Sequence, residues 1–441
     1  MTDLTLYSMP SSGNSYKVRL LLALLGRRVD TVDVEYGWES LTRAKAEGRL
    51  PFGKAPVLDL GDDTLLPESN AILFWLGQGT RFVPADALDE ARMLSWMFWE
   101  QNQHEGVIAV RAALLSYPHR KAEATPERLA DLLARGEVYG PEDTTIGPDG
   151  VLYTGTQDGW IVRVHPDDTV EHWLETGGRP LGLVFDRNGN LIVADAWKGL
   201  LSITPQGDIT VLTREAEGTP FRFTDDVVIA PDGRIYFTDA SSRFQQPDYV
   251  LDLLEMRPHG RLLRYNPKTR KTEVLLGNLH FANGVAVSPQ GDYVLVNETW
   301  KYRILRYWIS GPKAGRAEVF ADNLPGFPDN LAVDGEGRYW VAFPTLRNPR
   351  VDAMHKSPWL KDLVAKLPDS LKPKPQNYGL VVAFDSKGQM LTSLHDTRGT
   401  HLQEITSVNP HDGVLYFGSL HNDRIGRLPL QAIPGLGEAT P

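Results

Sequence analysis

The chain has no cysteine among its 441 residues, which excludes disulfides, thiolate metal centres and cysteine nucleophiles. It also lacks a cationic surplus: 46 Lys and Arg stand against 56 Asp and Glu, a formal net charge of -10. Nucleic acids and anionic membranes select basic patches, so neither is an expected partner. Long apolar runs are missing too. No stretch approaches the roughly 18 residues of a membrane-crossing helix, and the opening MTDLTLYSMPSSGNSYKV does not follow the basic-then-apolar order of a secretory leader. A cytoplasmic protein without a membrane span is the expectation. What remains is ordinary globular material, 41% hydrophobic and 23% charged, in a chain long enough for two or more domains.

The C-terminal two-thirds repeats one phrase six times: a polar tripeptide, an alternating apolar strand, a Gly turn and a second, aromatic-rich strand. It reads GPEDTTIGPDGVLYTG, RPLGLVFDRNGNLIVAD, FTDDVVIAPDGRIYFTD, FANGVAVSPQGDYVLVNE, FPDNLAVDGEGRYWVAF and HLQEITSVNPHDGVLYFG. Short strands recurring at roughly 40 to 70 residues are the mark of a β-propeller, one blade per unit. The prediction is a six-bladed, all-β propeller.

In a propeller the first strand of each blade lines the axis, so the residues that lead those strands converge. Aligned on the Gly turns, they are Glu142, Leu181, Asp225, Asn283, Asp329 and Gln403. Glu142, Asp225, Asn283 and Asp329 are hard oxygen donors, and confined carboxylates repel unless a cation neutralises them. Oxygen-only ligation favours Ca²⁺, Mg²⁺ or Mn²⁺. A divalent-metal site, calcium first, is therefore expected on the axis.

The N-terminal third has another pattern. LTLYS, SYKVRLLLALLG, TVDVEY, LTRAKAEG, APVLDL, TLLP and SNAILFWLG alternate strand and helix signals in the thioredoxin-like order. LYSMPSSGNSYKVR, KAPVL and PESNAI resemble the N-terminal domain of glutathione transferases over about residues 4 to 80. The resemblance implies a cis Pro56, an Ala55 backbone facing glutathione, Glu68 and Ser69 at a helix start that suits a carboxylate, and Ser12 as the hydroxyl for the thiolate, with Ser11 and Ser15 as rivals. After RFVPADA, the segments LDEARMLSWMFWEQNQHEGVIAVRAALLSY and TPERLADLLARG resemble the first helices of the transferase C-terminal domain, cut short. Domains are thus expected at 1–84, 85–135 and 136–430, with a tail over 431–441. Glutathione binding with little transfer, and a possible homodimer, follow from that resemblance.

RPLGLVFD, ADAWKGL, YFTDASSRF, HGRLLRYNPKT, FANGVAVS, ETWKYRILRYWISGPKAG and LPGFPDNLAVD resemble the strictosidine synthase-like family, whose wider relatives include paraoxonases, gluconolactonases and regucalcin. The resemblance implies metal ligation by Glu142, Asp225, Asn283 and Asp329, with Asn330 as a fifth contributor. It sets Gln403 where strictosidine synthase has its channel glutamate and Leu181 where paraoxonases have a histidine, so condensation and histidine-assisted hydrolysis are both disfavoured. Strand alternation is expected to turn Glu404 away from the channel. A metal-dependent hydrolase of a small ester or lactone follows, with Asp329 as base and His401 assisting. The alternatives are a non-catalytic metal-holding propeller with a glutathione-binding or dimerising module, and a glutathione transferase.

VDAMHKSPWLKDLVAKL and SSRFQQPDYVLDLLEMRPHG are expected to be helical lids, with Met354, Trp359 and Leu363 as an apolar wall. The sixth repeat ends in RIGRLPL and then QAIPGLGEATP, whose Pro and Gly make a fourth strand unfavourable. The missing strand should come from residues around Leu133 to Tyr139.

Overall fold

A computed structural model describes residues 4–61, 64–100, 131–355, 357–367, 376–397, 399 and 401–433. The chain divides into two units, 1–124 and 125–441.

The first unit is thioredoxin-like. A parallel pair, Thr5–Ser8 beside Asp30–Asp33, continues through the antiparallel strands Val57–Asp59 and Leu65–Pro67 into one four-stranded sheet. Its core is Leu6, Val18, Leu22, Leu58, Ile72 and Leu76, which joins the sheet to the helices Gly13–Leu24 and Ser69–Gly77. The Ala55-Pro56 bond is cis. Ala87–Trp99 is the first helix of the expected helical segment; residues 101–130 lie outside the described residues.

The second unit is a six-bladed propeller of six four-stranded antiparallel sheets. The first strands are Thr144–Ile146, Pro180–Phe185, Thr224–Ile229, Ala282–Val287, Leu331–Val333 and Ile405–His411. They neighbour one another in a ring, with the last meeting the first. Asp131–Leu133 supplies the fourth strand of the sixth blade, antiparallel to Ile425–Pro429 with Leu133 opposite Ile425. The pairing continues outside the strand, where Gly136 N–H donates to Asp423 O at 2.8 Å and Gly140 N–H to Asn422 O at 2.9 Å. The expected closure holds. The helical reading of TPERLADLLARG fails at its end, because Leu133 and Ala134 are buried against Ile425 and Val162 and Ala134 and Gly136 take left-handed φ values of 52° and 79°. That backbone stops a helix, and the domain boundary at 135 moves upstream with it.

Two glycines let the ring close tightly. A Cβ at Gly182 would lie 2.7 Å from the Asp226 Cα, and one at Gly284 would lie 2.4 Å from the Asp329 carbonyl oxygen. Four of the first strands, those of blades 2, 3, 4 and 6, carry a register shift after their leading residue. Such a bulge lets successive side chains leave the strand in different directions from those of regular alternation.

Ring closure depends on the Asp131–Leu133 strand, so Leu133→Ala should lower unfolding free energy by about 3 kcal/mol, the usual size for a buried Leu truncation. Denaturant titration reads this directly; a change below about 0.5 kcal/mol, the size of a surface substitution, would show that the strand is dispensable.

Candidate functional site

The residues leading the first strands meet at one end of the axis. Glu142, Leu181, Asp225, Asn283 and Asp329 line a single cavity of about 170 Å³. At roughly 10–15 Å³ for one water, the space suits an organic ligand. Its upper walls are Phe223, Tyr249, Leu253, Phe281, Trp300 and Met354, and no Lys, Arg or His lines it among the described residues.

The helices over it are Tyr249–Glu255, Pro349–Met354 and Pro358–Ala365. They pack through Leu254, Val351 and Met354 with Leu360 and Val364. Buried Asp252 pins the first helix, accepting from Ser241 Oγ at 2.6 Å and Trp300 Nε1 at 2.8 Å. Met354 reaches the cavity as expected. Trp359 and Leu363 do not: both are exposed, because their positions on the Pro358–Ala365 helix face away from the packing side.

The axial floor is dense with acid. Glu142 and Asp225 are pushed well above the usual carboxylate range by burial and then by neighbouring carboxylates, Asp329 foremost. Asp329 is pushed up to about 8, mainly by burial, with a hydrogen bond from Asn283 opposing the rise. Two oxygens, Glu142 Oε2 and Asn283 Oδ1, are buried without a hydrogen-bond partner. Among the described residues no group of three or more His, Cys, Asp or Glu side chains is placed to hold a metal ion by itself. Orphaned, hard, mutually repelling oxygens fit a divalent cation of the Ca²⁺ type.

Doublets explain how the ring is built. In Glu142-Asp143 and Asp225-Asp226 the first residue faces the cavity, while the second lines a pocket at the other end of the channel. Asp143 accepts from Leu183 N–H at 3.0 Å and Asn409 Nδ2 at 2.7 Å, and Asp226 accepts from Val285 N–H at 2.7 Å. Each thus ties its blade to another. Burial raises Asp143 to about 6 and pushes Asp226 well above the usual carboxylate range. Asn330 shares that opposite pocket and donates from Nδ2 to Glu142 Oε1 at 3.1 Å, so it orients Glu142 from below and does not line the cavity.

Sequence reasoning missed the groups that hold these backbones. Thr406 Oγ1 donates to Glu142 O at 2.6 Å, Thr299 Oγ1 to Pro328 O at 2.8 Å, and Asn297 Nδ2 to Asp329 O. It also missed Arg179, a guanidinium 1% exposed that donates to Gly140 O at 3.1 Å and leaves Nε and Nη1 unpartnered. VNET and GGRP are too short to announce either role.

The sixth blade corrects the sequence alignment. Ile405 pairs with Ser419 as Thr224 pairs with Asp239 and Ala282 with Glu298, so Thr406, not Gln403, corresponds to Asp225 and Asn283. Gln403 offers its backbone carbonyl to Asn422. Glu404 lines the cavity although alternation pointed it outward; its φ of 51° places it in a left-handed turn before the strand, where alternation does not apply. A glutamate therefore does reach the channel, and the exclusion of condensation chemistry by its absence falls. His401 lies elsewhere, in a separate pocket beside Asp396, Leu402 and Phe417, with its amide on Asp396 Oδ2 at 2.7 Å. It is four residues upstream of the strand, so the expected assisting role for His401 in the cavity is not supported by its position.

In the N-terminal unit, Ser12 caps the Gly13–Leu24 helix, its side chain accepting from Ser15 N–H at 3.4 Å. Ser15 is fully buried and its Oγ accepts from Met9 N–H at 3.0 Å, which removes it from the surface. Ser11 is exposed. Ser69 opens its helix and donates to Asn14 Oδ1 at 3.0 Å, and Glu68 precedes it with φ 68°. Ala55 and Pro56 lead into Val57–Asp59.

Fold and site together define a six-bladed propeller with a lidded, apolar cavity over an acidic axial floor. Residues 225–312 match the family model described as strictosidine synthase, residues 128–164 that described as strictosidine synthase-like, N-terminal, and residues 6–80 that of the glutathione S-transferase N-terminal domain. Strictosidine synthase-like 4 of Arabidopsis thaliana is 40% identical over 315 residues, covering 69% of this chain and 83% of that protein. The adipocyte plasma membrane-associated protein of Homo sapiens is 38% identical over 333 residues, covering 70% and 80%. A solved gluconolactonase of Xanthomonas campestris shares the propeller fold at 18% identity and a TM-score of 0.50, covering 70% of this chain and 93% of that one. The chain belongs to the strictosidine synthase-like family, with a glutathione transferase-like domain at its N-terminus. Among the described residues no helix is long and apolar enough to cross a membrane.

The raised carboxyls set a pH dependence. A carboxyl whose folded pKa lies above its unfolded value of 3.8 is tolerated while protonated, and its stability contribution is lost as pH rises through the folded value. Protein held in chelator should therefore melt at lower temperature at pH 8 than at pH 5, and added Ca²⁺ should raise the melting temperature more at pH 8. Equal response to Ca²⁺ at both pH values would remove the axial carboxylates as its cause.

Proposed function

We propose that the propeller is a divalent-metal-dependent hydrolase of neutral, largely apolar esters or lactones. The observation that carries this is the pairing of an apolar lidded cavity with a floor of orphaned Glu142 and Asn283 oxygens beside the raised carboxyls of Asp225 and Asp329. Glu142, Asp225, Asn283 and Asp329 would hold the ion. A divalent cation there supplies Lewis-acid polarisation of a carbonyl and stabilisation of the oxyanion.

The walls select the substrate. A polyhydroxylated lactone would leave hydroxyls unpaired against Phe223, Phe281, Trp300 and Leu253, whereas an aryl or alkyl ester buries apolar surface on them. An anionic substrate would meet the acidic floor without a cationic side chain to offset it. Thr299, Thr345 and Thr406 are the lining aliphatic hydroxyls, and among the described residues no histidine lines the cavity to activate them, which favours direct attack by water over a covalent intermediate.

The N-terminal unit is read as a glutathione-binding module. Ser12 at the helix start, the cis Ala55-Pro56 bond and Ser69 at a second helix start support that. Calorimetric titration with glutathione should show weak binding that Ser12→Ala weakens further; an unchanged isotherm in that variant would exclude Ser12 as the thiol partner.

For the propeller, metal-stripped protein should be inactive on aryl esters and lactones and regain activity with Ca²⁺, Mg²⁺ or Mn²⁺. Asp329→Ala should lose both bound metal and activity. Full activity in chelator, or amine–aldehyde condensation without ester hydrolysis, would overturn the reading.

A further inference from the structure

The floor of the cavity is rich in acceptors. Ionised Glu142, Asp225, Asp329 and Glu404 only accept hydrogen bonds, and the donors beside them are already committed. Thr406 Oγ1 donates to Glu142 O at 2.6 Å and Thr299 Oγ1 to Pro328 O at 2.8 Å. The Asn283 side chain bonds Asp329, and Trp300 Nε1 donates to Asp252 Oδ1 at 2.8 Å. A neutral ester brings acceptors only, so its oxygens need a donor that is still free.

Tyr249 carries one. It lines the cavity from the lid helix Tyr249–Glu255, half-buried and packed against the cluster of Phe223, Phe281, Trp300 and Phe327. Among the described residues its phenol makes no hydrogen bond. Burial, and then the charges of Glu404 and Asp329, push the phenol upward, so it keeps its proton and stands where both carboxylates act on it. Its helix is fixed in place, because Asp252 on the same helix accepts from Ser241 Oγ and Trp300 Nε1. The donor is thus held over the floor before a ligand arrives.

We propose that the Tyr249 phenol recognises the alkoxy oxygen of the bound ester and donates a hydrogen bond to it as the acyl C–O bond breaks. This rests on the hydrolase reading above, in which the carbonyl is drawn to the floor and the alkoxy oxygen is left facing the lid. Hydrolysis adds the hydroxyl of water to the acyl carbon and the proton of water to the alkoxy oxygen, while the bond between those two atoms breaks. Tyr249 transfers no proton of its own. Its hydrogen bond strengthens as negative charge builds on the departing oxygen, so it favours the transition state over the bound ester. Alkyl esters depend on it most, because an alkoxide leaves with its charge concentrated on oxygen. A nitrophenolate spreads that charge into its ring and needs less help.

The test compares wild type and Tyr249→Phe, both with Ca²⁺ bound, in hydrolysis of benzyl butyrate and 4-nitrophenyl butyrate and in calorimetric titration with benzyl alcohol and toluene. Tyr249→Phe should lower kcat on the benzyl ester by about 100-fold, the usual size for one transition-state donor, and on the nitrophenyl ester far less. Benzyl alcohol should bind the variant about 3- to 10-fold more weakly, the worth of one neutral hydrogen bond, while toluene binds both proteins alike. Melting temperature and bound metal should stay at wild-type values, since the phenol oxygen has no protein partner to lose. Equal losses on the two esters, with benzyl alcohol and toluene weakened equally, would make Tyr249 a packing residue only and leave the hydrolase reading standing. Wild-type rates and affinities in the variant would overturn the assignment with the same consequence. A wild type inert on both esters would overturn the hydrolase reading and the catalytic role of Tyr249 together, and the benzyl alcohol titration would then decide whether the phenol binds a ligand oxygen at all.

Discussion

Glu142, Asp143, Asp225, Asp226 and Asp329 are all buried around one axis, facing the buried guanidinium of Arg179, which interacts with Glu142 and Asp225. Two like charges about 5 Å apart repel by about 3 kcal/mol even at an effective dielectric of 20, and several such pairs exceed what one cation offsets. The raised carboxyls express this surplus of negative charge. Protonation or a bound cation must relieve it. Folding, ion binding and chemistry at the cavity floor are therefore linked through the same side chains.

The propeller can concentrate this charge because its ring is held by independent means. Bonds from other blades satisfy three of the repelling oxygens, both of Asp143 and Oδ2 of Asp226, and the adjacent Val227 N–H donates to Asp226 Oδ1. Gly182 and Gly284 admit the neighbouring strands where a side chain would clash. The Asp131–Leu133 strand closes the circle. Loosening any of these would let the carboxylates separate, which lowers their repulsion and dissolves the site.

Above the floor the chemistry changes from acid to aromatic within one cavity. Phe281 stacks against Trp300 at 4.3 Å between ring centroids, and Trp300 meets Phe327 edge-on. The Trp300 indole then anchors the lid through Asp252. Wall and lid are thereby one packed unit, so the apolar character of the cavity is a property of the closed structure and not of the insertions alone. Glu404 reaches the same cavity on a turn whose geometry no periodic pattern describes.

Six repeated phrases with Gly turns, alternation in every first strand and the Pro-rich end after RIGRLPL made the blade count, the leading residues of five blades and the closing strand readable in advance. The thioredoxin-like order was equally legible, because apolar periodicity reports local structure. Residues whose function depends on leaving that periodicity were not. Gln403 was placed by alignment on a Gly turn, and that alignment failed where Glu404 turns left-handed ahead of Ile405. Thr406, Asn297 and Arg179 act on blades distant in sequence, so nothing near them in the chain signals their partners. The linear pattern determined that oxygen donors would gather on an axis; packing between blades decided which of them face the cavity, which bind the ring together, and that Glu404 looks inward, because those choices depend on bulges and inter-blade bonds that exist only once the circle is closed.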